Sequence, residues 1–318
     1  MRAVSEALHV SPAPRRVFLG GLALAMTGSV LFSAKAVVVK LAYRHGVDAA
    51  TLIALRMLFA APFFAAAYLW SSRGARALAR GDHVRLVAIG LVGYYAASYL
   101  DFLGLQHITA ALERLILYLN PTIVLLLSVL FFGKKLTRVD LLALGLAYGG
   151  IVAVFWHDVG FDGGNVALGA TLVFGSAVSY AFYLVWSGEI VRRVGAIRLT
   201  SYAMLVSTAA VVLQFVLLNP LSAIVQPAPV YWLSLVNGFL CTVLPVVATM
   251  LAVERIGASH TSLAAMVGPV STILLAWVFL GETVSAWQTA GTALVLAGIF
   301  VLSRKVAPAL PAGAHRRW

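Results

Sequence analysis

The sequence has few charged residues and almost no cysteine. Charged residues make up 11% of the 318 positions, hydrophobic residues make up 62%, and the mean hydropathy is +0.96. So little charge excludes a water-soluble domain, whose surface needs far more of it. The single Cys241 lies inside an apolar run, which excludes an intrachain disulfide and a cysteine metal cluster. The composition therefore indicates an integral membrane protein in which Cys241 is a small core residue.

Motifs that are typical of enzymes are also missing. The sequence has no Gly-rich phosphate loop, no H-E-x-x-H and no nucleophile elbow with a matching base. His157, Asp158 and Asp162 are too loosely grouped to predict a metal site. We therefore expect a protein that is not an enzyme and that uses neither a metal nor a cofactor.

Long apolar segments take the place of these motifs. A helix that crosses a bilayer needs about 20 mainly apolar residues, and the connections between such segments are short. The first segment follows Arg15 and Arg16 but is too long for the apolar part of a signal peptide. The predicted fold class is an all-α integral membrane protein with ten transmembrane helices, at residues 17–41, 50–70, 84–105, 110–133, 138–156, 165–187, 199–219, 230–252, 258–281 and 286–304.

The basic residues predict the orientation of these helices. The tails and the even-numbered connections hold 18 of the 23 Lys and Arg residues, whereas the odd-numbered connections hold only Arg44. Cytoplasmic connections carry such an excess, so both termini are predicted to be cytoplasmic, in a bacterial inner (plasma) membrane. The formal net charge of +12 is thus a signature of membrane orientation, and no nucleic-acid partner is expected.

The sequence repeats itself at an offset of 148 residues. Residues 110–133 match 258–281, with Pro121 on Pro269 and Gly133 on Gly281. Proline is costly inside a helix because it removes a backbone donor, so matched prolines indicate a repeated unit and are candidate hinges. Further glycine matches support the offset: Gly21 with Gly169, Gly90 with Gly238, and Gly150 with Gly298.

An odd number of helices in each copy has a topological consequence. The second copy of a five-helix unit must enter the membrane from the opposite side, which makes the two copies inverted repeats. The predicted organisation is a cytoplasmic tail, two five-helix repeats and a second cytoplasmic tail, at residues 1–16, 17–156, 165–304 and 305–318.

These features resemble the ten-helix EamA-type branch of the drug/metabolite transporter superfamily over residues 17–304. Each half has a Pro-containing fourth helix, a short turn and a Gly-bearing last helix, and Leu280-Gly281-Glu282 matches the usual end of that fourth helix. The first copy departs from this pattern with Lys134 after Gly133. The resemblance implies secondary transport of small organic solutes, commonly efflux of amino acids or related metabolites.

Five ionisable residues fall inside the predicted helices of the first copy. At about 1.5 Å per residue, two of them lie roughly 9 Å and three roughly 5 to 6 Å from the predicted outer ends, so all five fit one layer. Their equivalents in the second copy are neutral, which favours a role in function over a role in building the fold. Two acids and three bases suit a zwitterionic or anionic solute. The five residues are Lys35, Arg56, Asp101, Glu113 and Arg114, which correspond to Tyr183, Met204 or Leu205, Thr249, Thr261 and Ser262.

Structural roles are the alternative for each of these charges. Lys35 and Asp101 suit a structural salt bridge, and Arg56 suits either a pair with Glu113 or a position towards the outer headgroups. Glu113 and Arg114 also suit solvated charges at a helix end. They point about 100° apart, so they are expected to contact different neighbours.

Polar and aromatic residues on neighbouring helix faces complete the candidate site. Spacing predicts one stripe for Tyr94, Ser98 and Asp101, and one face for Arg114, Tyr118 and Pro121. The second copy offers Tyr180, Tyr183 and Asn237 as lining. Packing is the alternative role for each tyrosine.

The function predicted from these features is a secondary transporter, an exporter of a small polar metabolite such as an amino acid. Its expected partners are the solute, the lipid bilayer and protons, with proton antiport and facilitated diffusion as the two alternatives; the sequence does not specify an oligomeric state. The alternative functions are transport of a lipid or lipid-linked amphiphile and a membrane sensor that transports nothing. A closed, charge-lined cavity favours a soluble metabolite, and a lateral opening with an apolar wall favours a lipid.

Overall fold

The computed structural model describes residues 15–75, 77–133, 135–162 and 165–306. Within these ranges nine helices are long and apolar enough to cross a membrane, and a tenth apolar helix is shorter. This confirms the predicted all-α fold with ten spans. The spans are α1 Arg16–Tyr43, α2 Ala49–Ser72, α3 Arg80–Leu105, α4 Ala110–Phe132, α5 Arg138–His157, α6 Val166–Gly188, α7 Ala196–Leu218, α8 Ala228–Gly257, α9 His260–Leu280 and α10 Ala286–Leu302.

The two matched prolines each follow a break in their span. In α4 the first helix ends at Leu117 and a second begins at Asn120, so Pro121 stands in the first turn of the second helix. In α9 the break is at Met266, and Pro269 lies in the first turn of Val267–Leu280. Because proline cannot donate to the carbonyl four residues earlier, the α-helical ladder stops where each proline would have continued it. Neither proline therefore bends a continuous helix; each begins a new one.

Both copies also contain a π-helical turn at the same place. Residues Leu91–Ala96 widen α3, and Phe239–Val243 widen α8, starting 148 positions apart. A π-helical turn spaces its hydrogen bonds by five residues, which shifts every later side chain around the helix axis. Tyr94 and Thr242 occupy matching positions in these two turns.

Reciprocal close contacts relate the two copies. A Cβ on Gly150 would lie 2.6 Å from the carbonyl oxygen of Gly291, and one on Gly298 would lie 2.6 Å from that of Ala143. The two contacts interchange under the 148-residue offset, as expected of an approximate two-fold relationship in which each surface meets its own copy. The contact of Gly21 on α1 with Ile256 on α8 is repeated by the contact of Gly169 on α6 with Ile108, just after the end of α3.

The glycine pair Gly145 and Gly149 plays no part in this packing. The sequence G-x-x-x-G is typical of close helix contacts, but a Cβ on either residue would meet nothing within 4 Å. The tight seam between α5 and α10 instead uses Gly150, Gly291 and Gly298, each of which approaches the backbone of the opposite helix.

The innermost helices of the two copies pack against each other. α1 lies against α8 and α9, and α6 lies against α3 and α4, while α2 packs on α7. Large apolar side chains such as Leu130, Trp156 and Leu218 are more than 70% exposed, as suits a surface that faces lipid. The boundary between the two copies is therefore the interior of the molecule.

Candidate functional site

A buried lysine holds two carboxylates together in this interior. Lys35 Nζ on α1 lies 2.5 Å from Asp101 Oδ2 on α3 and 3.0 Å from Glu113 Oε1 on α4. All three residues are at most 5% exposed. Charges taken out of water need such close partners. The two ion pairs link α1 to α3 and α1 to α4. The structure thus brings together three of the five predicted ionisable residues.

The two carboxylates are not fully occupied by Lys35. Asp101 Oδ1 and Glu113 Oε2 are buried and accept no hydrogen bond from the described residues. A carboxylate oxygen that is buried without a donor is costly. The cluster therefore has buried carboxylate oxygens that no N–H group of the described residues reaches, and with one lysine against two carboxylates it has a formal charge of −1.

Arg114 points away from this cluster, as its position beside Glu113 predicts. Its Nη2 donates to Ser33 Oγ at 3.0 Å, and its guanidinium carbon lies 4.8 Å from the ring centre of Phe32 and 5.1 Å from that of Tyr118. It is 4% exposed, and Glu113 is fully buried. The alternative of solvated helix-end charges is therefore wrong for both residues.

Arg56 crosses the boundary between the copies. Its Nε donates to Thr242 Oγ1 on α8 at 3.1 Å, and its guanidinium lies 5.2 Å from the ring centre of Phe102. It is 5% exposed and makes no ion pair with Glu113 within the described part of the chain. Both structural alternatives for Arg56, a pair with Glu113 and a position at the headgroups, are therefore wrong.

Contacts also correct the second-copy equivalent of Arg56. A Cβ on Gly238 would lie 2.8 Å from the carbonyl oxygen of Arg56, and one on Gly90 would lie 2.8 Å from that of Ala203. Packing thus aligns Arg56 with Ala203, rather than with Met204 or Leu205. The equivalent residue is still neutral, so the one-sided distribution of charge holds.

The tyrosines form a separate group. Tyr94 Oη donates to Tyr183 Oη at 3.2 Å, and the ring centres of Tyr94, Tyr180 and Tyr183 lie 4.9 to 6.2 Å apart. The π-helical turn at Leu91–Ala96 removes the regular spacing that predicted one stripe for Tyr94, Ser98 and Asp101. Tyr94 accordingly contacts α6, whereas Asp101 contacts α1. Ser98, which lies between them in the sequence, is half-buried.

Asn237 is fully buried with its side chain unpaired. Neither Oδ1 nor Nδ2 has a hydrogen-bond partner among the described residues, and the same is true of the hydroxyl of Ser234 one turn earlier. Its backbone carbonyl, in contrast, accepts from Thr242 Oγ1 at 2.9 Å. Thr242 therefore links the turn that holds Asn237 to the guanidinium of Arg56.

The backbone carbonyls four residues before the two prolines accept hydrogen bonds from side chains. Pro269 cannot donate to the carbonyl of Ala265, which instead accepts from Tyr118 Oη at 2.6 Å and from Ser29 Oγ at 2.7 Å. The carbonyl of Leu117, left free in the same way by Pro121, accepts from Asn120 Nδ2 at 2.7 Å. Tyr118, which lies under Arg114, thus joins the break in α4 to the break in α9.

A further ion pair, not identified from the sequence, lies at the predicted outer face. Lys40 Nζ is 3.1 Å from Glu282 Oε1, and both carboxylate oxygens of Glu282 accept from the backbone N–H of Ala110 at 3.2 Å. Lys40 also donates to the carbonyl of Ile108 at 2.8 Å, and Arg44 donates to that of Leu280 at 2.6 Å. Lys40 lies in the last turn of α1, and a lysine at the outer end of an apolar segment is the sequence feature that could have indicated this pair.

The arrangement suits reversible binding of a charged solute more than covalent chemistry. Positive and negative groups on four helices lie at the boundary of the two copies, and several of their polar atoms lack partners among the described residues. In the described part of the chain no group of three or more His, Cys, Asp or Glu side chains is placed to hold a metal ion.

Comparison with known proteins gives a consistent picture. A family model for the EamA-like transporter family matches residues 19–156 and again residues 167–304. The uncharacterized transporter YcbK of Bacillus subtilis (strain 168) is 30% identical over 299 residues, which cover 92% of this chain and 93% of that protein. The uncharacterized transporter YyaM of the same organism is 24% identical over 232 residues, which cover 70% and 74%.

More distant similarities extend the same pattern. An uncharacterized transporter of Archaeoglobus fulgidus is 26% identical over 212 residues, which cover 66% of this chain and 72% of that protein. One solved crystal structure superposes with a TM-score of 0.63 at 21% identity, covering 91% of this chain and 99% of the other. At that identity the structural similarity shows the fold alone.

Proposed function

Because the chain belongs to the EamA-like transporter family, we propose that it is a secondary transporter that exports a small polar metabolite, such as an amino acid, by alternating access between its two repeats. One observation carries the proposal. The five predicted charges of the first copy are buried where the two copies meet, and at each equivalent position the second copy has a neutral residue.

The charge balance indicates the kind of solute. Three bases face two acids, so a base is available to pair with a carboxylate of the solute, and the oxygens of Asp101 and Glu113 would accept from an ammonium group. All five ionisable residues are at most 5% exposed, which supports an enclosed path for a soluble metabolite over a lateral path for a lipid. Both termini lie on the cytoplasmic side of the bacterial inner membrane in this proposal, as the basic residues indicate.

Comparison of metabolites in cells with and without the protein tests the proposal. A solute that accumulates in the medium only when the protein is present is expected, and the same solute should cross proteoliposomes that contain the purified protein. Equal metabolite levels in both cell lines, together with inactive proteoliposomes, would contradict export.

The source of energy needs its own measurement. We assign proton exchange to the cluster of Lys35, Asp101 and Glu113, because two carboxylates that share one lysine can gain a proton when the lysine moves. The rate of export by proteoliposomes should then rise when the pH gradient drives protons in the direction opposite to that of the solute. An identical rate with and without the gradient would instead indicate facilitated diffusion.

A further inference from the structure

Two groups at the boundary of the copies have polar atoms that find no hydrogen-bond partner among the described residues. The first is the amide of Asn237, which is fully buried with both polar atoms unpaired, beside the equally buried and unpaired hydroxyl of Ser234. Buried polar groups in native proteins are nearly always hydrogen-bonded, and each exception needs an explanation. A bound solute is one such explanation.

The second group is the guanidinium of Arg56. Its Nε donates to Thr242, but its two Nη atoms have no acceptor among the described residues, and none of those residues places a carboxylate within 4 Å. Arginine presents these nitrogens as a planar fork that matches the two oxygens of a carboxylate. The fork of Arg56, a residue that is 5% exposed, therefore has no acceptor among the described residues and lies against the ring of Phe102.

The two groups are joined by short contacts. Thr242 Oγ1 accepts from Arg56 Nε at 3.1 Å and donates to the carbonyl of Asn237 at 2.9 Å. Gly238, the next residue, brings the backbones of α8 and α2 together, because a Cβ there would lie 2.8 Å from the carbonyl oxygen of Arg56. Thr242 is the fifth residue after Asn237, and the π-helical turn Phe239–Val243 brings residues five apart into register for this hydrogen bond.

The equivalent positions in the first copy are apolar. Asn237 and Ser234 correspond to Ile89 and Leu86, which pack with Tyr183 and Ala203 in an apolar cluster. Tyr183 is the equivalent of Lys35, and Ala203 is the packing equivalent of Arg56. In the first copy the equivalents of Ser234 and Asn237 thus pack in one apolar cluster with the second-copy equivalents of Lys35 and Arg56.

From these contacts we propose that Arg56 and Asn237 form the subsite for the carboxylate of an amino acid, whose ammonium group faces the free oxygens of Asp101 and Glu113. The fork of Arg56 receives the two carboxylate oxygens, and Asn237 Nδ2 donates to one of them. The inference rests on the proposed function, because it names the solute class of the same site.

Binding to the purified full-length protein tests the subsite without a transport assay. Each of the 20 standard amino acids is added, and the rise in melting temperature is measured. The amino acid that stabilises most is then compared with its amide, which lacks the carboxylate charge, and with its decarboxylated amine. We expect at least tenfold weaker binding of both analogues. No stabilisation by any amino acid, or equal binding of acid and amide, would overturn the proposal.

Variants that carry the residues of the first copy add a readout that needs no ligand. Asn237→Ile should raise the melting temperature of the ligand-free protein, because it removes unpaired buried polar atoms, and should abolish stabilisation by the amino acid. A structural asparagine would behave in the opposite way, with a lower melting temperature and intact binding. Arg56→Lys keeps the charge but loses the fork, and should weaken binding at least tenfold, whereas Gly145→Ala on α5 should leave it unchanged.

Failure of the subsite and failure of the proposed function give different results. If the wild-type protein exports a solute but binds acid and amide equally, the subsite is wrong and export stands. If amino acids bind selectively but cells with and without the protein release identical metabolites, export is wrong and the subsite stands.

Discussion

Lys40 and Glu282 lie 3.1 Å apart at the predicted outer face, although they belong to different copies of the repeat. Glu282 also accepts from the first backbone N–H of the helix that carries Glu113 and Arg114. At the opposite face Arg193 Nη2 lies 2.6 Å from Asp82 Oδ1, which again joins the two copies. The buried charges lie between these two pairs, so the conformation is one in which the copies are held together at both faces.

Breaking the outer pair should open the site from outside. Glu282→Gln removes the charge that Lys40 and the helix N-terminus both favour, which costs the closed state about 1 kcal/mol, or a roughly fivefold larger open population. The single Cys241 is buried within the π-helical turn next to Thr242 and so serves as a natural probe. A membrane-impermeant maleimide added from outside should label it about fivefold faster in the variant.

The control for this labelling removes an exposed carboxylate far from the outer face. Glu254→Gln, at the opposite end of α8, should leave the labelling rate at the wild-type value. Cys241→Ala must abolish labelling in every background. An unchanged rate in Glu282→Gln would show that the ion pair does not hold this face closed.

Removing Lys35 alone should be far more damaging than replacing the whole cluster. Lys35→Met leaves two buried carboxylates side by side, and loss of one partner from a buried ion pair costs about 3–5 kcal/mol. The triple variant Lys35→Tyr, Asp101→Thr and Glu113→Thr instead introduces the residues that the second copy carries. It should fold nearly as well as the wild type and transport nothing.

Thermal unfolding and export, measured on the same preparations, separate these outcomes. Normal export by the triple variant would mean that the charges are not part of the transport site. A triple variant as unstable as Lys35→Met would mean that the charges are needed to build the first copy.

The breaks in α4 and α9 should control the rate of transport rather than assembly. Pro269→Ala restores a backbone N–H that can reach the carbonyl of Ala265, in competition with Tyr118 and Ser29. Pro121→Ala does the same for the carbonyl of Leu117. Continuous helices bend less readily at these points, so turnover should fall several-fold while the amount of folded protein stays the same.

Tyr118→Phe is the matched test of the same connection. It removes one hydrogen bond to Ala265 and retains the ring under Arg114, so we expect a loss of about 1 kcal/mol in stability. Wild-type export kinetics in both proline variants would argue against the hinges.

Glycines at the α5–α10 seam should tolerate no side chain. Gly298→Ala puts a methyl group 2.6 Å from the carbonyl oxygen of Ala143, and Gly150→Ala does the same to Gly291. Such overpacking costs about 1–3 kcal/mol, which a lower melting temperature would report. Gly149→Ala is the control, since its methyl group would meet nothing within 4 Å, and a change as large as that in Gly150→Ala would contradict the reciprocal packing.

Most of the fold could be predicted from the sequence because the bilayer leaves few alternatives. Each of the ten predicted segments overlaps a helix whose ends differ by a few residues. Length and hydropathy suffice for this, since a spanning helix must satisfy its own backbone within about 20 residues. The one-sided placement of charge was also visible from the 148-residue offset alone.

Contacts within the site depended on features that hydropathy does not report. The π-helical turns add a residue to the hydrogen-bonded ring and rotate Tyr94 away from the stripe that regular spacing predicts. The partner of Arg56 lies on a helix of the other copy, so its identity depends on how the copies pack. Glu113 and Arg114 are buried against Lys35 and Ser33 on α1, and sequence position alone does not show that contact.

The π-helical turns also carry information about the order of events in the protein's history. An extra residue at the same register in both copies is most simply inherited from one ancestral half, inserted before that half was duplicated. The charges around Lys35 occur in one copy only and so mark divergence after the duplication. The irregular helices are thus common to both halves, whereas the charges around Lys35 distinguish one half from the other.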